Sequence, residues 1–272
     1  MTFKGKTIFI TGGSRGIGKA IGLRLAREGA NVVIAAKTTE PHPRLEGTIF
    51  SAAEEIEKVG GKSFGVKCDI REEADVVSAI NAAVEKFGGI DILINNASAI
   101  NVSPVSILPL KQYDLMQDIN TRGTFLVSHH CIPHLRKSSN PHILTLSPPL
   151  NLDKKWFSHF APYAISKFGM SMLTLGMAEE FRKEGIAVNS LWPRTTIATA
   201  AIMNVLGGEE LMKKSRKPEI VADAAALVLA KNSREFSGNF CIDDVILAEA
   251  GITDLAHYSL IPGAELADDI FL

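Results

Sequence analysis

Short apolar runs alternate with amphipathic segments along almost the whole sequence, and this alternation constrains the fold more than any other feature. The run TIFIT at Thr7–Thr11 leads through a glycine cluster to residues 17–28, whose apolar positions recur at helical spacing, and NVVIAA at Asn31–Ala36 follows. Two buried strands separated by one helix form a β-α-β unit with parallel strands. The pattern continues with strands predicted at 64–68, 90–94, 142–146, 186–191 and 239–243, and helices at 51–59, 72–87, 113–137, 162–184 and 218–229. Seven strands alternating with helices predict an α/β fold, a Rossmann-type doubly wound parallel sheet with helices on both faces.

Two of the predicted helices carry local signals. Ser51, with Glu54 three residues later, is typical of a capping serine at the start of the helix at 51–59. Pro133 predicts a kink or an interruption in the long helix at 113–137, because proline lacks the amide hydrogen that the helix requires. No internal repeat or low-complexity linker divides the 272 residues, so we expect a single domain, with residues 248–272 as a C-terminal extension packed on it.

The charge balance argues against two classes of partner. Lys and Arg number 29 and Asp and Glu 30, which gives a formal net charge of −1. A protein that binds nucleic acid or an anionic membrane usually has a basic excess instead. The three cysteines form no C-x-x-C pair, no signal peptide pattern precedes Thr7, and no run of about 18 apolar residues is present. We therefore expect a cytoplasmic protein that binds neither nucleic acid nor membrane.

A glycine-rich turn, TGGSRGIG at residues 11–18, joins the first predicted strand to the first predicted helix. Glycines at these positions permit a tight turn and let a pyrophosphate approach the backbone, and the N-terminus of the helix supplies free N–H groups. The bland alternative is a tight strand-to-helix loop, but the strand before and the helix after favour a dinucleotide site. The residues expected to contact the dinucleotide here are Gly12, Ser14, Arg15, Gly16, Ile17 and Gly18.

The end of the second strand indicates which dinucleotide is bound. A cofactor without a 2′-phosphate usually meets an acidic residue there, but this sequence has Ala36-Lys37-Thr38. Lys37, together with Arg15 in the glycine turn, places two cations where a 2′-phosphate would lie. The alternative is that both are solvated surface cations. The pattern favours NADP(H), hence NADPH as the reductant.

Two polar residues follow the third and fourth predicted strands. Asp69 can accept a hydrogen bond from the adenine amino group or can cap the next helix. Asn96, in Asn95-Asn96-Ala97, is expected to combine a structural role between strands with contact to the adenosine ribose, because the carboxyl ends of parallel strands form the ligand crevice.

Tyr163 and Lys167 lie four residues apart at the start of a predicted helix and therefore share a helix face. A neighbouring ammonium lowers the pKa of a phenol, which is otherwise a poor acid at neutral pH. Such a tyrosine exchanges a proton with an alcohol or carbonyl while hydride moves to or from a nicotinamide. Alone the pair occurs by chance on many helices, and the preceding glycine turn makes it informative.

Together these motifs resemble the short-chain dehydrogenase/reductase superfamily over roughly the first 245 residues, through the glycine turn, Asn95-Asn96-Ala97, Asn120, Tyr163 and Lys167. A narrower resemblance, to the hydroxysteroid dehydrogenase-like protein 2 family, rests on Ala36-Lys37-Thr38, on SPPLNL at residues 147–152 and on GMAEEF at residues 176–181. Longer members of that family carry a sterol-carrier-like domain, which we do not expect within these 272 residues.

The resemblance implies roles for several residues. Asn120 would hold a water in a proton relay to Lys167, or would mark a helix kink, or both. Lys167 would also bind the nicotinamide ribose. Pro193 and Thr195, after the sixth strand, are expected to contact the cofactor, and the Thr195 hydroxyl can hydrogen-bond its phosphates.

The sequence departs from the superfamily at its catalytic serine. By strand register that position is Pro148, which cannot donate a hydrogen bond. Ser147 is the nearby hydroxyl that would replace it, or it is a strand-end residue bonded to backbone.

The leading hypothesis is an NADP-dependent oxidoreductase that interconverts a small apolar alcohol and its carbonyl through Tyr163, Lys167, Asn120 and Ser147. The alternative, motivated by Pro148, is a cofactor-binding regulatory or scaffold protein with little activity. The superfamily resemblance also implies a homodimer or homotetramer and transfer of the pro-S hydride of the nicotinamide. Histidines at helical spacing lack partners typical of a metal site, so we expect no metal.

Overall fold

The computed structural model describes residues 2–43 and 45–272. Its centre is one seven-stranded sheet in the order β3-β2-β1-β4-β5-β6-β7, and every neighbouring pair is parallel. This confirms the predicted Rossmann-type fold, including the reversal of strand order between β1 and β4 that opens a ligand crevice. The strands are β1 (Thr7–Thr11), β2 (Asn31–Ala36), β3 (Lys62–Lys67), β4 (Ile92–Asn95), β5 (His142–Thr145), β6 (Ala187–Trp192) and β7 (Phe240–Ile242).

Helices cover both faces of the sheet. Successive side chains of a strand point to opposite faces, so Ile8 and Ile10 pack in one core layer and Phe9 in the other. The first layer contains α1 (Gly16–Ala26), α2 (Ile49–Lys58), α9 (Glu219–Leu229) and α10 (Asp243–Glu249). The second contains α3 (Glu73–Phe87), α5 (Gly123–Leu135) and α7 (Ala161–Glu180). The remaining α-helices are α4 (Leu110–Met116), α6 (Lys155–Ser158) and α8 (Gly208–Lys213).

The start of α2 differs from the sequence prediction. The helix begins at Ile49, and Thr48 caps it by accepting a hydrogen bond from the Ser51 amide at 3.1 Å. Ser51 returns the bond by accepting from the Thr48 amide at 2.9 Å. The prediction that Ser51 opens this helix was therefore wrong, because Ser51 is the second partner of a capping box that starts three residues earlier.

The helix predicted at 113–137 is irregular near its start and not at Pro133. A π-helical segment at Gln117–Arg122 separates α4 from α5, whereas Pro133 lies within the last turn of α5. The expected interruption at Pro133 was wrong, because α5 continues through Pro133 to Leu135 and loses only the one N–H bond that a proline cannot make. A π segment in a helix frequently marks a functional position, and this one contains Asn120.

The end of the sequence lies against the carboxyl ends of the strands. Residues 267–269 form backbone bonds with the segment after β6, including the Thr196 amide to the Ala267 oxygen at 2.9 Å and the Asp269 amide to the Arg194 oxygen at 3.0 Å. The Phe271 side chain is buried in a third apolar cluster with Tyr163 and Trp192. In the described part of the chain, no helix has the length and apolar character needed to cross a bilayer.

Candidate active site

The glycine turn has the backbone conformation that close approach of a ligand requires. Gly12 and Gly16 have φ values of 66° and 54°, in the left-handed region that glycine enters without cost. A Cβ at Gly18 would lie 2.5 Å from the side-chain nitrogen of Asn96 and 2.8 Å from the carbonyl oxygen of Gly12. The turn is therefore a bare backbone cradle at the N-terminus of α1, where N–H groups face an incoming phosphate.

Asn96 fastens this cradle to the neighbouring strand. Its side chain donates to the carbonyl oxygens of Thr11 at 2.9 Å and of Gly12 at 3.0 Å. The Thr11 hydroxyl adds to this connection, since it accepts hydrogen bonds from the backbone amides of Asn96 and Ala97, each at 3.1 Å. The structural part expected of Asn96 is thus present, and Thr11 is a supporting residue that sequence reasoning missed although it stands at the head of the glycine motif. Ser14 is buried in the turn, and Ile17 is partly exposed.

Arg15 carries a charge that no carboxylate neutralises among the described residues. Its guanidinium donates to the carbonyl oxygens of Glu46 at 2.8 Å and Gly47 at 2.9 Å, and to the Thr38 hydroxyl at 3.1 Å. These neutral acceptors hold the side chain beside the end of β2. Burial lowers the pKa of Arg15 from its usual value, though the group stays charged at any ordinary pH.

Lys37 and Asp69 form an ion pair at 3.3 Å. Asp69 also binds Arg71 at 2.6 Å, and chiefly that hydrogen bond lowers the pKa of Asp69 to about 2. Asp69 does not cap α3, because the residue at the cap position is Glu72 and no side chain bonds there. The Asp69 carboxylate therefore has two cationic partners, while the Lys37 side chain remains more than half exposed, at 55%.

Tyr163 and Lys167 occupy successive turns of α7 at the carboxyl end of β5. The Lys167 ammonium is buried, donates to the carbonyl oxygen of Leu146 at 2.6 Å and lies 5.0 Å from the centre of the Trp192 ring. Burial lowers the pKa of Lys167 to about 7, and the carboxyl of Asp269 partly opposes that shift. The two residues that sequence reasoning joined are thus brought together in the first turns of one helix.

The environment of Tyr163 differs from the expectation. Its side chain is 4% exposed, and its ring stacks on that of Phe271 with 6.1 Å between ring centres. Burial, together with the Asp269 carboxyl, raises the pKa of Tyr163 above that of an ordinary phenol. The lowered pKa expected from Lys167 is therefore not seen in this arrangement, where burial disfavours the phenolate form of Tyr163.

Asn120 uses its side chain to tie two segments together. The amide accepts from the Ala99 N–H at 2.7 Å and donates to the Ala99 oxygen at 2.9 Å and to the Ser166 hydroxyl at 2.9 Å. Ser166, which the sequence analysis did not single out, in turn donates to the backbone carbonyl oxygen of Tyr163 at 2.8 Å. The side chain of Asn120 therefore positions the start of α7, and its place in the π segment agrees with the helix-irregularity interpretation.

Ser147 is buried, and its hydroxyl has no hydrogen-bond partner among the described residues. Its amide donates to the Thr145 oxygen at 2.9 Å, which turns the chain sharply at the end of β5. Pro148 is buried as well, and its oxygen accepts from the Ser171 hydroxyl at 2.6 Å. The alternative that the Ser147 side chain bonds to backbone is not what the structure shows.

The segment after β6 brings further polar groups to this edge of the sheet. Pro193 and Thr195 are buried, and the Thr195 hydroxyl has no partner in the described part of the chain. Arg194 pairs with Asp244 at 3.1 Å. Asp269, which the sequence analysis did not single out, is half-buried nearby, and loss of hydration chiefly raises its pKa to about 7.

These residues fit a nicotinamide dinucleotide. The cradle at Gly12–Gly18 suits a pyrophosphate, and the charge of Arg15, which no described carboxylate neutralises, suits an anion. The hydroxyls of Ser147 and Thr195, which have no partner among the described residues, can hydrogen-bond a bound ligand. No group of three or more potential metal ligands occurs among residues 2–43 and 45–272.

Comparison with known proteins shows the family. The profile described as short chain dehydrogenase matches residues 6–208. The chain is 58% identical over 268 residues to hydroxysteroid dehydrogenase-like protein 2 of Danio rerio, covering 98% of this chain and 64% of that protein. It is 55% identical to the Homo sapiens protein of the same name, again over 98% of this chain and over 63% of that protein. The chain thus spans less than two thirds of the length of these relatives.

Solved structures agree. A short chain dehydrogenase from Mycobacterium thermoresistibile has a TM-score of 0.93 and 54% identity, with 99% of this chain and 95% of that chain covered. A short-chain dehydrogenase/reductase from Serratia marcescens has a TM-score of 0.74 and 29% identity, with 89% and 97% covered. With its parallel sheet, its glycine cradle and its Tyr163–Lys167 pair, the chain belongs to the short-chain dehydrogenase family.

Proposed function

We propose that this protein is an NADP(H)-dependent oxidoreductase that interconverts an apolar alcohol and its carbonyl. The observation that carries the proposal is that Tyr163 and Lys167 lie buried on α7, with the Lys167 ammonium bonded to the Leu146 oxygen just after β5, in the same molecule as a glycine cradle that suits a dinucleotide. When bound, the dinucleotide supplies or accepts the hydride. The protein supplies the proton and the orientation of the substrate.

Each side chain has a defined part in this proposal. The Tyr163 hydroxyl gives a proton to the carbonyl oxygen during reduction and takes it back during oxidation. Lys167, when protonated, favours the phenolate form of Tyr163 and so opposes the rise in pKa that burial causes. Ser147 donates a hydrogen bond to the substrate oxygen, since its buried hydroxyl has no partner among residues 2–43 and 45–272. The side chain of Asn120 fixes α7, so any water relay would use its backbone oxygen in the π segment.

The preference for NADP(H) is supported by charge. Arg15 lies beside the end of β2 with only neutral acceptors, and Lys37 lines a cavity there with Thr38, Thr39 and Glu40. A 2′-phosphate at this position would gain a charge-assisted bond to Arg15 at no cost in a broken ion pair. The Asp69–Lys37 contact is exposed enough for Lys37 to turn toward the same phosphate.

Assembly into a homodimer or homotetramer is part of the proposal. Apolar side chains of α7 face solvent, with Ile165, Met172 and Leu175 all at least 41% exposed, and Phe125 of α5 is also exposed. Exposed apolar residues grouped on packed helices are typical of a protein interface. Light scattering should give at least twice the 29.3 kDa mass of one chain, and a monomer at micromolar concentration would contradict this.

The enzymatic proposal is tested by consumption of NADPH with a panel of apolar aldehydes and ketones. Tyr163→Phe should reduce turnover at least a hundredfold, because the proton donor is lost while the ring remains. Tyr113→Phe, which removes a hydroxyl from α4 away from the cradle, is the matched control and should keep turnover. Tight NADPH binding with no turnover in the unmodified protein would favour a cofactor-binding regulatory or scaffold protein instead.

A further inference from the structure

Phe271 fills a cage made of aromatic side chains. Its ring centre lies 5.0 Å from that of Phe168, 5.8 Å from Trp156, 5.9 Å from Phe160 and 6.1 Å from Trp192. The fifth wall is Tyr163, stacked at 29°. Only 1% of the Phe271 side chain is exposed.

Phe271 covers the ring of Tyr163. Tyr163 is 4% exposed, and the Phe271 ring stacks on its ring with 6.1 Å between ring centres. A proton donor must come within hydrogen-bond reach of the reacting oxygen, so the body of a substrate bound there lies close to this ring. Departure of the Phe271 ring would open an apolar space next to Tyr163.

The backbone at Phe271 is suited to release. Its φ of 78° lies in the left-handed region, which is unfavourable for a phenylalanine. The preceding residues 267–269 are anchored by backbone bonds, but residues 270–271 are held by side-chain donors, Trp192 to the Ile270 oxygen at 3.0 Å and Asn151 to the Phe271 oxygen at 3.1 Å. Movement that begins after Asp269 therefore frees the ring without breaking the backbone bonds before it.

We infer that the Phe271 ring occupies the place of the substrate, and that the substrate is an aldehyde, ketone or alcohol that carries an aromatic ring beside its reacting carbon. The inference rests on the proposed oxidoreductase function and names its substrate class. An aromatic ring that displaces Phe271 meets the same tilted and stacked partners, an arrangement that favours an arene over a saturated ring of equal size.

The cage also holds a polar group that Phe271 does not satisfy. The indole nitrogen of Trp156 is buried without a hydrogen-bond partner among the described residues. A buried N–H without an acceptor is unfavourable. An oxygen substituent on the incoming ring that came within reach of this nitrogen would accept from it.

The two tryptophans make the inference testable without turnover. Trp156 and Trp192 are the only tryptophans in the sequence, and both lie against Phe271. Quenching of their fluorescence by acrylamide therefore reports access to the cage. In the full chain, Phe271→Ala should raise the quenching constant at least twofold. Ile261→Ala, an exposed apolar residue outside the cage, is the matched control and should leave it unchanged.

Benzyl alcohol, added without cofactor, should restore protection from acrylamide in Phe271→Ala at concentrations that leave quenching in the unmodified protein unchanged. Cyclohexylmethanol, similar in size but not aromatic, should protect several-fold less well. If Phe271→Ala does not fold, Phe271→Leu should show the same rise in quenching and the same protection by benzyl alcohol, both smaller in magnitude.

Two results would overturn the inference: unchanged quenching in the folded variant, or equal protection by the two alcohols. Protection by benzyl alcohol in a protein that consumes no NADPH would instead overturn the proposed reaction and leave the cage assignment standing. Turnover of aliphatic carbonyls with no binding of benzyl alcohol would leave the reaction standing and overturn the substrate class.

Discussion

Arg15 is the side chain on which the proposed preference for NADP(H) depends. The sequence predicts a cation near the end of β2, because the glycine turn and the second strand are close in a β-α-β unit. It does not reveal that Glu46, Gly47 and Thr38 hold the guanidinium in place, since those contacts depend on a loop with no periodic pattern.

Replacing Arg15 should therefore change cofactor preference. In Arg15→Gln the dissociation constant for NADPH should rise about tenfold, the equivalent of roughly 1.4 kcal/mol for one charge-assisted bond, while that for NADH changes little. Isothermal titration calorimetry with both dinucleotides measures this. Because both are titrated into the same variant, general loosening of the loop cancels in the ratio. An equal loss for NADPH and NADH would contradict the assigned role.

For Tyr163 and Lys167, the sequence predicts the contact between the two residues but not their surroundings. Their spacing fixes the shared helix face, so their juxtaposition was predictable. Their burial was not, because Phe271 and Asp269 reach them from a distant part of the chain that lacks periodicity. A pKa depends on everything that surrounds a group, including residues that no local pattern brings near.

The strands were predictable as elements because each is a short apolar run bounded by turn residues. β1 and β2 have the predicted boundaries, and the other strands differ by a few residues at their ends. Irregular positions were harder. The π segment at Gln117–Arg122 has no strong breaker in its sequence, and the interactions of Asn120 with Ala99 and Ser166 accompany it. The capping box at Thr48 was missed because two hydroxyl residues three apart both match a cap.

His142 of β5 gives a pH-dependent contribution to the packing of elements. It is fully buried, its ring nitrogen Nε2 lies 3.1 Å from the Lys231 oxygen beyond α9, and burial lowers its pKa from 6.5 to about 4. The unfolded chain therefore binds a proton between pH 6.5 and pH 4 that the folded chain does not. This favours unfolding as the pH falls, by at most about 3 kcal/mol.

The variant His142→Gln, which keeps a donor for Lys231, should lose this dependence. Between pH 7 and pH 4 the melting temperature of the unmodified protein should fall relative to that of the variant. Asp243 and Asp269, whose pKa values burial raises, act in the opposite direction in both proteins and cancel in the difference. Parallel melting curves across this range would show that His142 is not buried as a neutral side chain.

At the scale of the whole molecule, the sheet order follows from the alternation of strands and helices together with the rules for parallel connections. The path of residues 267–272 does not, because it is set by shape and by bonds to the segment after β6. The two parts of the candidate site divide in the same way. The cradle comes from consecutive elements and was predictable, whereas the aromatic cage comes from residues distant in sequence and was not.

The measurement that tests the account most directly follows the hydride itself. NADPH carrying deuterium at the pro-S position of C4 is incubated with the protein and an aromatic aldehyde, and the alcohol is analysed by mass spectrometry. The account predicts one deuterium on the alcohol carbon with the unmodified protein and no alcohol above background with Tyr163→Phe. Unlabelled alcohol from the pro-S deuteride would contradict the expected face of transfer. Equal label with Tyr163→Phe, or no alcohol with any carbonyl compound tested, would contradict the proposed reaction.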